Sequence, residues 1–325
     1  MIRRFLLRVG ALAAAVALSG ILISAYDDHT ADNNYLAAVL EKDRLIRRTP
    51  SPKVILVGGS NLAFGVDSKQ LQDSLGLHVI NMGLYAKLGL RYMLAQVKPY
   101  VQKGDVVIVS PEYDQFYGNY ADGDQTLNTA LLYTPSDRLR DFIKSYSVID
   151  VVLRPRVENA RRSFLMAAAD AFGVKNRYFP PDTNPVYNRR SFNEYGDMVA
   201  HLTREGKNPD SIYVGPIGTK KELNLHTVDL LEDIARHSRA RGAHAYFMYP
   251  SYIDRAYSLN SAAIDSLARV ITRRVRMTIV GSPRDFVYPS SWFFDTRYHL
   301  TAAGRQHRTR EMIRLLSDIR RRDHW

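Results

Sequence analysis

Cysteine is absent from this chain of 325 residues. That removes disulfides, thiolate nucleophiles, iron–sulfur clusters and cysteine-bound zinc from any account of what it does. Glycine (19) and proline (14) are too sparse, and the hydrophobic content of 46% too high, for a collagen-like or largely disordered polymer. No H-E-x-x-H pair occurs, Asp122-Gly123-Asp124 is too short for a calcium loop, and neither a dinucleotide fingerprint nor a Walker A lysine is present. The expectation is therefore no metal and no cofactor. No repeat of fixed period is visible either. Acidic residues are the minority charge, 33 against 45 Lys and Arg, for a net +12. An excess of that size favours an anionic neighbour: acidic lipid, acidic polymer or nucleic acid.

Only one long apolar run exists. Arg3, Arg4 and Arg8 precede Val9 to Tyr26 (VGALAAAVALSGILISAY), which ends at Asp27, Asp28 and His29. Eighteen residues at the helical rise span about 27 Å, enough for a bilayer core, and the basic flank stays cytoplasmic. Residues 1–26 thus read as a signal anchor, with a cleaved signal peptide, and so a secreted protein, as the alternative. Either way the remainder lies outside the cytoplasm, periplasmic or extracellular, which sets nucleic acid aside as a partner. Residues 27–50 read as a juxtamembrane segment: Tyr35, Leu36, Val39, Leu40 and Leu45 among charges fit a short amphipathic helix that lifts the domain off the membrane, ended by Pro50 and Pro52.

From residue 51 to 325 apolar runs alternate with helical periodicity. Val54–Val57, His78–Asn81, Val106–Val109, Ala243–Met248 and Met277–Val280 read as strands. Helices are expected near 67–75, 89–101, 227–238, 261–273 and 301–319. Strands spaced by helices predict an α/β three-layer sandwich with a parallel sheet in order 2-1-3-4-5. Its ligand should sit beyond the strands' C-terminal ends. A stretch at about 116–222 is too long for a crossover and reads as an insertion, rich in Tyr, Asn, Arg and Pro, with helical patterns at 135–146 and 156–172.

Three strand-end loops carry candidate chemistry. Gly58-Gly59-Ser60-Asn61 follows the first strand, and two glycines there suit a sharp turn that presents Ser60 at a helix N-terminus. Asp295 and His299 stand in FFDTRYHLTAAG before the last helix, with Thr301 as its N-cap. A serine nucleophile needs a base for its proton and a carboxylate to hold the imidazole tautomer, and this pair supplies both. Taken singly, each motif is as readily a turn or a cap. The third loop reads Ser110-Pro111-Glu112-Tyr113-Asp114-Gln115-Phe116. In the insertion, Asn193, Glu194, Tyr195 and Asp197 form a polar cluster suited either to lining a glycan site or to holding an ordered loop.

Together, the first-strand serine, the second-strand Asn81-Met82-Gly83 and the Asp/His pair resemble the SGNH (GDSL-type) hydrolase superfamily, across about half the chain at its two ends. The resemblance implies a flavodoxin-like fold with Ser60 as nucleophile, His299 as base and Asp295 as its orienter. It also implies an oxyanion hole from the amides of Ser60 and Gly83. Where that family places an asparagine in the third loop, this chain has none; Tyr113 could supply the missing donor, and Glu112, with Asn61 and Asn193, could bind substrate. One extra residue separates Asp295 from His299. The function implied is an extracytoplasmic serine esterase or O-acyltransferase acting on acyl, above all acetyl, esters of an envelope glycan. The polar, aromatic insertion argues against a lipid ester. The rival reading is a non-catalytic member that binds a glycan or an envelope protein partner.

Overall fold

Val54–Val57 and Val106–Val109 are apolar at every position and fully buried, the mark of central strands covered on both faces. A computed structural model describes residues 34–118, 120–143, 146–178, 184–217 and 222–325, with Arg4, Arg8 and Gly10 from the N-terminal stretch. The expected anchor, Val9 to Tyr26, lies outside the described residues save Gly10. No helix among the described residues is long and apolar enough to cross a membrane.

In chain order, a 3-10 turn at Tyr35–Ala38 leads into α1 (Val39–Arg48), then β1 (Lys53–Gly58), α2 (Ser60–Gly65), α3 (Ser68–Leu75), β2 (His78–Asn81), α4 (Leu90–Val97) and β3 (Val106–Ser110). The insertion follows with α5 (Gln125–Tyr133), α6 (Ser136–Ile143), α7 (Arg154–Ala171) and α8 (Lys175–Tyr178). The chain returns through α9 (Leu225–Ala240), β4 (His244–Met248), β5 (Tyr252–Ile253), α10 (Asp254–Arg274), β6 (Thr278–Val280), β7 (Val287–Tyr288) and α11 (Ala302–Asp323). Five strands form one parallel sheet in the order β2-β1-β3-β4-β6, while β5 and β7 pair separately. Counting only the strands of the main sheet, the order is 2-1-3-4-5; the short β5 shifts the label of the last.

The connection from β1 to β2 runs one way along the sheet and that from β2 to β3 runs back past it. Right-handed crossovers therefore put α3 and α4 on opposite faces. Two helix groups result: α11 packs on α2 and α3, and α9 packs on α4 and β4. The reversal between β1 and β3 opens a crevice at their C-terminal ends, where Ser60 and Glu112 stand.

Residues 35–48 do form helix, but they do not hold the domain at a distance. Tyr35, Ala38, Val39, Leu45 and Ile46 are buried in the common core. The ammonium of Lys42, itself 1% exposed, donates to the carbonyls of Asn81 (2.7 Å) and Gly196 (2.5 Å). Burial lowers the Lys42 pKa to about 7 against the supporting charge of Asp197. The segment is thus part of the α/β body, riveted to the end of β2.

Both glycines before Ser60 are required, for a reason other than the turn expected. Gly59 has ordinary extended backbone (φ −85°, ψ −156°). Space decides instead: a Cβ on Gly58 would lie 2.3 Å from the Ser110 carbonyl oxygen, and one on Gly59 2.7 Å from Glu112 Oε1. Since the Ser110 oxygen is backbone in a central strand, it has nowhere to go. Gly58→Ala should lower the free energy of unfolding by at least about 1–3 kcal/mol, read from urea denaturation. A variant as stable as the parent would show that β1 and β3 do not approach as described.

Candidate active site

Ser60 opens α2, so its N–H belongs to the helix's unpaired first turn. Its hydroxyl donates to Glu112 Oε1 at 2.9 Å, and the Asn61 N–H donates to the same oxygen at 3.0 Å. Glu112 is fixed in return: it caps the 3-10 turn Tyr113–Gln115, and its own N–H donates to Gln115 Oε1. Burial pushes the Glu112 carboxyl above the usual carboxylate range, partly offset by the neighbouring His299 and by the hydrogen bonds from Asn61 and Ser60. The sequence reading gave Glu112 a substrate-binding role; in the fold it accepts the Ser60 hydroxyl.

Asp295 and His299 lie on a loop closed by an antiparallel bridge between Phe293 and Leu300, with the Phe294 N–H donating to the His299 carbonyl at 2.8 Å. Inside the loop Thr296 Oγ1 accepts from the amides of Tyr298 and His299. His299 Nδ1 lies 2.8 Å from Asp295 Oδ1. This pairing assigns the proton to Nδ1 and leaves Nε2 as an acceptor. Burial would raise the Asp295 pKa, but hydrogen bonds from His299 and Tyr187, with Lys207 nearby, hold it below the ordinary value.

The imidazole stacks face to face on Phe64, centroids 4.0 Å apart and planes 6° off parallel. Phe64 is four residues beyond Ser60 on α2, and residues so spaced share a helix face. The stack therefore seats His299 over the turn that presents Ser60, and both residues are 5% exposed.

Arg297 Nη2 and the Tyr298 hydroxyl both donate to Asp114, at 2.6 and 2.7 Å, while Arg297 Nη1 donates to the Gly215 carbonyl. The residues between Asp295 and His299 thereby tie the pair to the β3 loop that carries Glu112.

Several expected roles change. The Gly83 N–H donates to Asn81 Oδ1 at 3.0 Å, so it is already engaged. A Cβ there would meet the Gly59 oxygen at 2.8 Å, so the glycine is needed to let β2's end pack on the serine turn. Tyr113 is fully buried edge-on to Tyr252, and among the described residues its hydroxyl has no hydrogen-bond partner and donates nothing toward Ser60. Asn61 is also fully buried: its Nδ2 donates to the Ser110 carbonyl and its oxygen has no partner among the described residues, so the side chain braces β3. Asn193 accepts from the amides of Tyr195 and Asp197, closing a turn. That turn delivers the buried Asp197 to Ser68, Asn81 and Arg305. The polar cluster of the insertion is a staple between loop and body.

Tyr187, Phe64 and His201 were not singled out from sequence. The Tyr187 hydroxyl donates to Asp295 Oδ2 at 2.5 Å and sits 3.0 Å from His299 Nδ1. No motif or periodicity marks it. Phe64 could have been found from its helical spacing to Ser60. His201 packs on Phe64, centroids 4.7 Å apart, and bonds the Leu300 carbonyl through Nε2 at 3.0 Å.

Burial, then the nearby His299, lower His201 to about 4. The unfolded chain takes up that proton near pH 6.5, so the stability present above 6.5 is lost as pH falls toward 4. Between pH 7.5 and 5 the loss should be about 2 kcal/mol. His201→Gln keeps a donor for Leu300 and removes the titration; its urea stability should fall by correspondingly less over that interval. An unchanged pH dependence would show that His201 is not the group responsible.

Surface clefts of about 510 and 340 Å³ lie elsewhere, one beside Pro50, Gln72 and His78 and one beside Asp67 and Arg305. Among the described residues no cluster of three or more His, Asp or Glu is placed to hold a metal ion. No family model matches the chain, and no curated protein matches it.

Proposed function

We propose that the chain is an extracytoplasmic serine esterase or O-acyltransferase of the SGNH (GDSL-type) kind, acting on acyl, above all acetyl, esters of an envelope glycan. One observation carries the reading: the Asp295–His299 pair, braced by Tyr187, is stacked on Phe64 one helical turn from Ser60. The basic flank and apolar run of the N-terminal sequence support a location outside the cytoplasm, anchored to the membrane.

Ser60 Oγ turns from Glu112 to His299 Nε2, gives up its proton there and attacks the acyl carbonyl. The imidazolium so formed is stabilised by Asp295, and the oxyanion by the Ser60 N–H at the start of α2. His299 returns the proton to the departing sugar oxygen. Water then releases the acyl group from Ser60 in an esterase, or a sugar hydroxyl takes it in a transferase. The Gly83 N–H joins the oxyanion hole only if the substrate oxygen displaces Asn81 Oδ1.

A second reading, a non-catalytic glycan- or partner-binding protein, is favoured by a specific observation. Both the Ser60 hydroxyl and the Gly83 N–H are spent on neighbours, and no asparagine stands in the β3 loop. Acetyl release from aryl acetate and from an O-acetylated polysaccharide, with and without a sugar acceptor, separates the two. Turnover lost in Ser60→Ala supports the enzyme; a folded chain that binds the polysaccharide without turnover supports the binder.

A further inference from the structure

We infer that α7 and the turn before it form a second membrane contact, lying flat on an anionic phospholipid surface. Among the described residues, large exposed apolar side chains are not spread evenly: eight of the eleven fall between Ile143 and Phe172. Val148, Ile149, Leu153, Val157, Phe164 and Phe172 are each at least 55% exposed, with Phe172 at 82%. Scattered exposed apolar residues need no explanation, whereas a contiguous set does.

The pattern is helical. Leu153, Val157, Ala160, Phe164 and Ala168 recur at the spacing of one face of a helix. Of the 18 residues of α7 only Pro155 and Ser163 are buried, so this stripe faces away from the body. Arg156 flanks it on one side and Arg154 and Arg161 on the other. An apolar stripe flanked by arginines, on a helix too polar to cross a bilayer, suits the headgroup boundary of acidic lipid. The net charge of +12 agrees in sign.

The start of the described chain identifies lipid as the occupant. The sequence from Asp27 to Asn33 is seven residues, so the chain can place Asn34 no more than about 29 Å from the end of the apolar run. The Tyr35–Ala38 turn packs on α5, and α5 packs on α7, with Asn128 donating to Glu158 at 2.7 Å between those two helices. The start of the domain and α7 thus both border α5. The insertion, read from composition as polar and aromatic, also carries this apolar stripe in its first half. This inference does not depend on the chemistry at Ser60.

The absence of cysteine gives a clean test with the full chain. Single variants Phe164→Cys, Phe172→Cys and, as a control on α10, Leu259→Cys are labelled with an environment-sensitive fluorophore. They are reconstituted in vesicles of equal parts phosphatidylcholine and phosphatidylglycerol carrying a headgroup nitroxide quencher. Labels at 164 and 172 should be quenched and that at 259 should not. Arg156→Gln and Arg161→Gln should each lower the docked-to-free ratio about fivefold, and vesicles of phosphatidylcholine alone should lower it further. Equal quenching at all three positions, or none, would overturn the inference. So would energy transfer between 164 labels on two copies that persists without lipid, which would make this face a self-association surface.

Discussion

Ser60→Ala should reduce turnover of aryl acetate by about 10⁴- to 10⁶-fold while leaving a folded protein. The size of the effect follows from the loss of the only atom to which an acyl group can be transferred at this site. The fold should survive because little else depends on the hydroxyl: Glu112 Oε1 keeps the Asn61 N–H, and Gly58 and Gly59 still hold the turn. Removing one donor from a buried carboxylate costs on the order of 1–3 kcal/mol, visible as a shift in urea midpoint. A loss of turnover with a much larger loss of stability would speak for a structural serine. Unaltered turnover would move the nucleophile elsewhere.

Asp295→Asn should be nearly as damaging, about 10⁴-fold in kcat, although every atom position can be kept. The side-chain amide that then faces His299 Nδ1 donates where the carboxylate accepted. The imidazole proton moves to Nε2, and the ring can no longer take a proton from Ser60. Tyr187 sharpens the distinction, since its hydroxyl donates to the outer oxygen of Asp295. Tyr187→Phe leaves the His299–Asp295 bond in place and should cost far less than Asp295→Asn, as measured by kcat on the same ester. If the two variants lose turnover equally, the carboxylate acts through Tyr187 and not through the imidazole tautomer.

Much of the architecture was legible in the sequence because the signals were physical and local. Val54–Val57 and Val106–Val109 could only be buried strands. His78–Asn81, the helix near 67–75 and Thr301 as the cap of α11 lie where pattern and capping chemistry place them. Ser60, Asp295 and His299 were visible as residue types at strand ends, and the structure brings the last two into hydrogen bond and seats the imidazole on Phe64. What the sequence could not show were contacts made between distant segments. Tyr187 reaches Asp295 across 108 positions, and Glu112 reaches Ser60 across 52. Nor does an amide's direction leave a trace in composition. Gly83 stands at the end of β2 as expected, yet its N–H is turned to Asn81. Asn193 illustrates the same limit: polar clusters that staple a loop and those that bind a sugar have the same residues, and only the partners, here Tyr195 and Asp197, tell them apart.

The central claim is that Ser60 is activated by His299. It is tested most directly by treating the full chain with a fluorophosphonate and measuring intact mass, then mapping the adduct by peptide mass spectrometry. The account predicts a single adduct on Ser60, absent in Ser60→Ala and strongly slowed in His299→Ala. A folded wild-type chain that takes up no label, or one labelled as fast without His299 as with it, would contradict it.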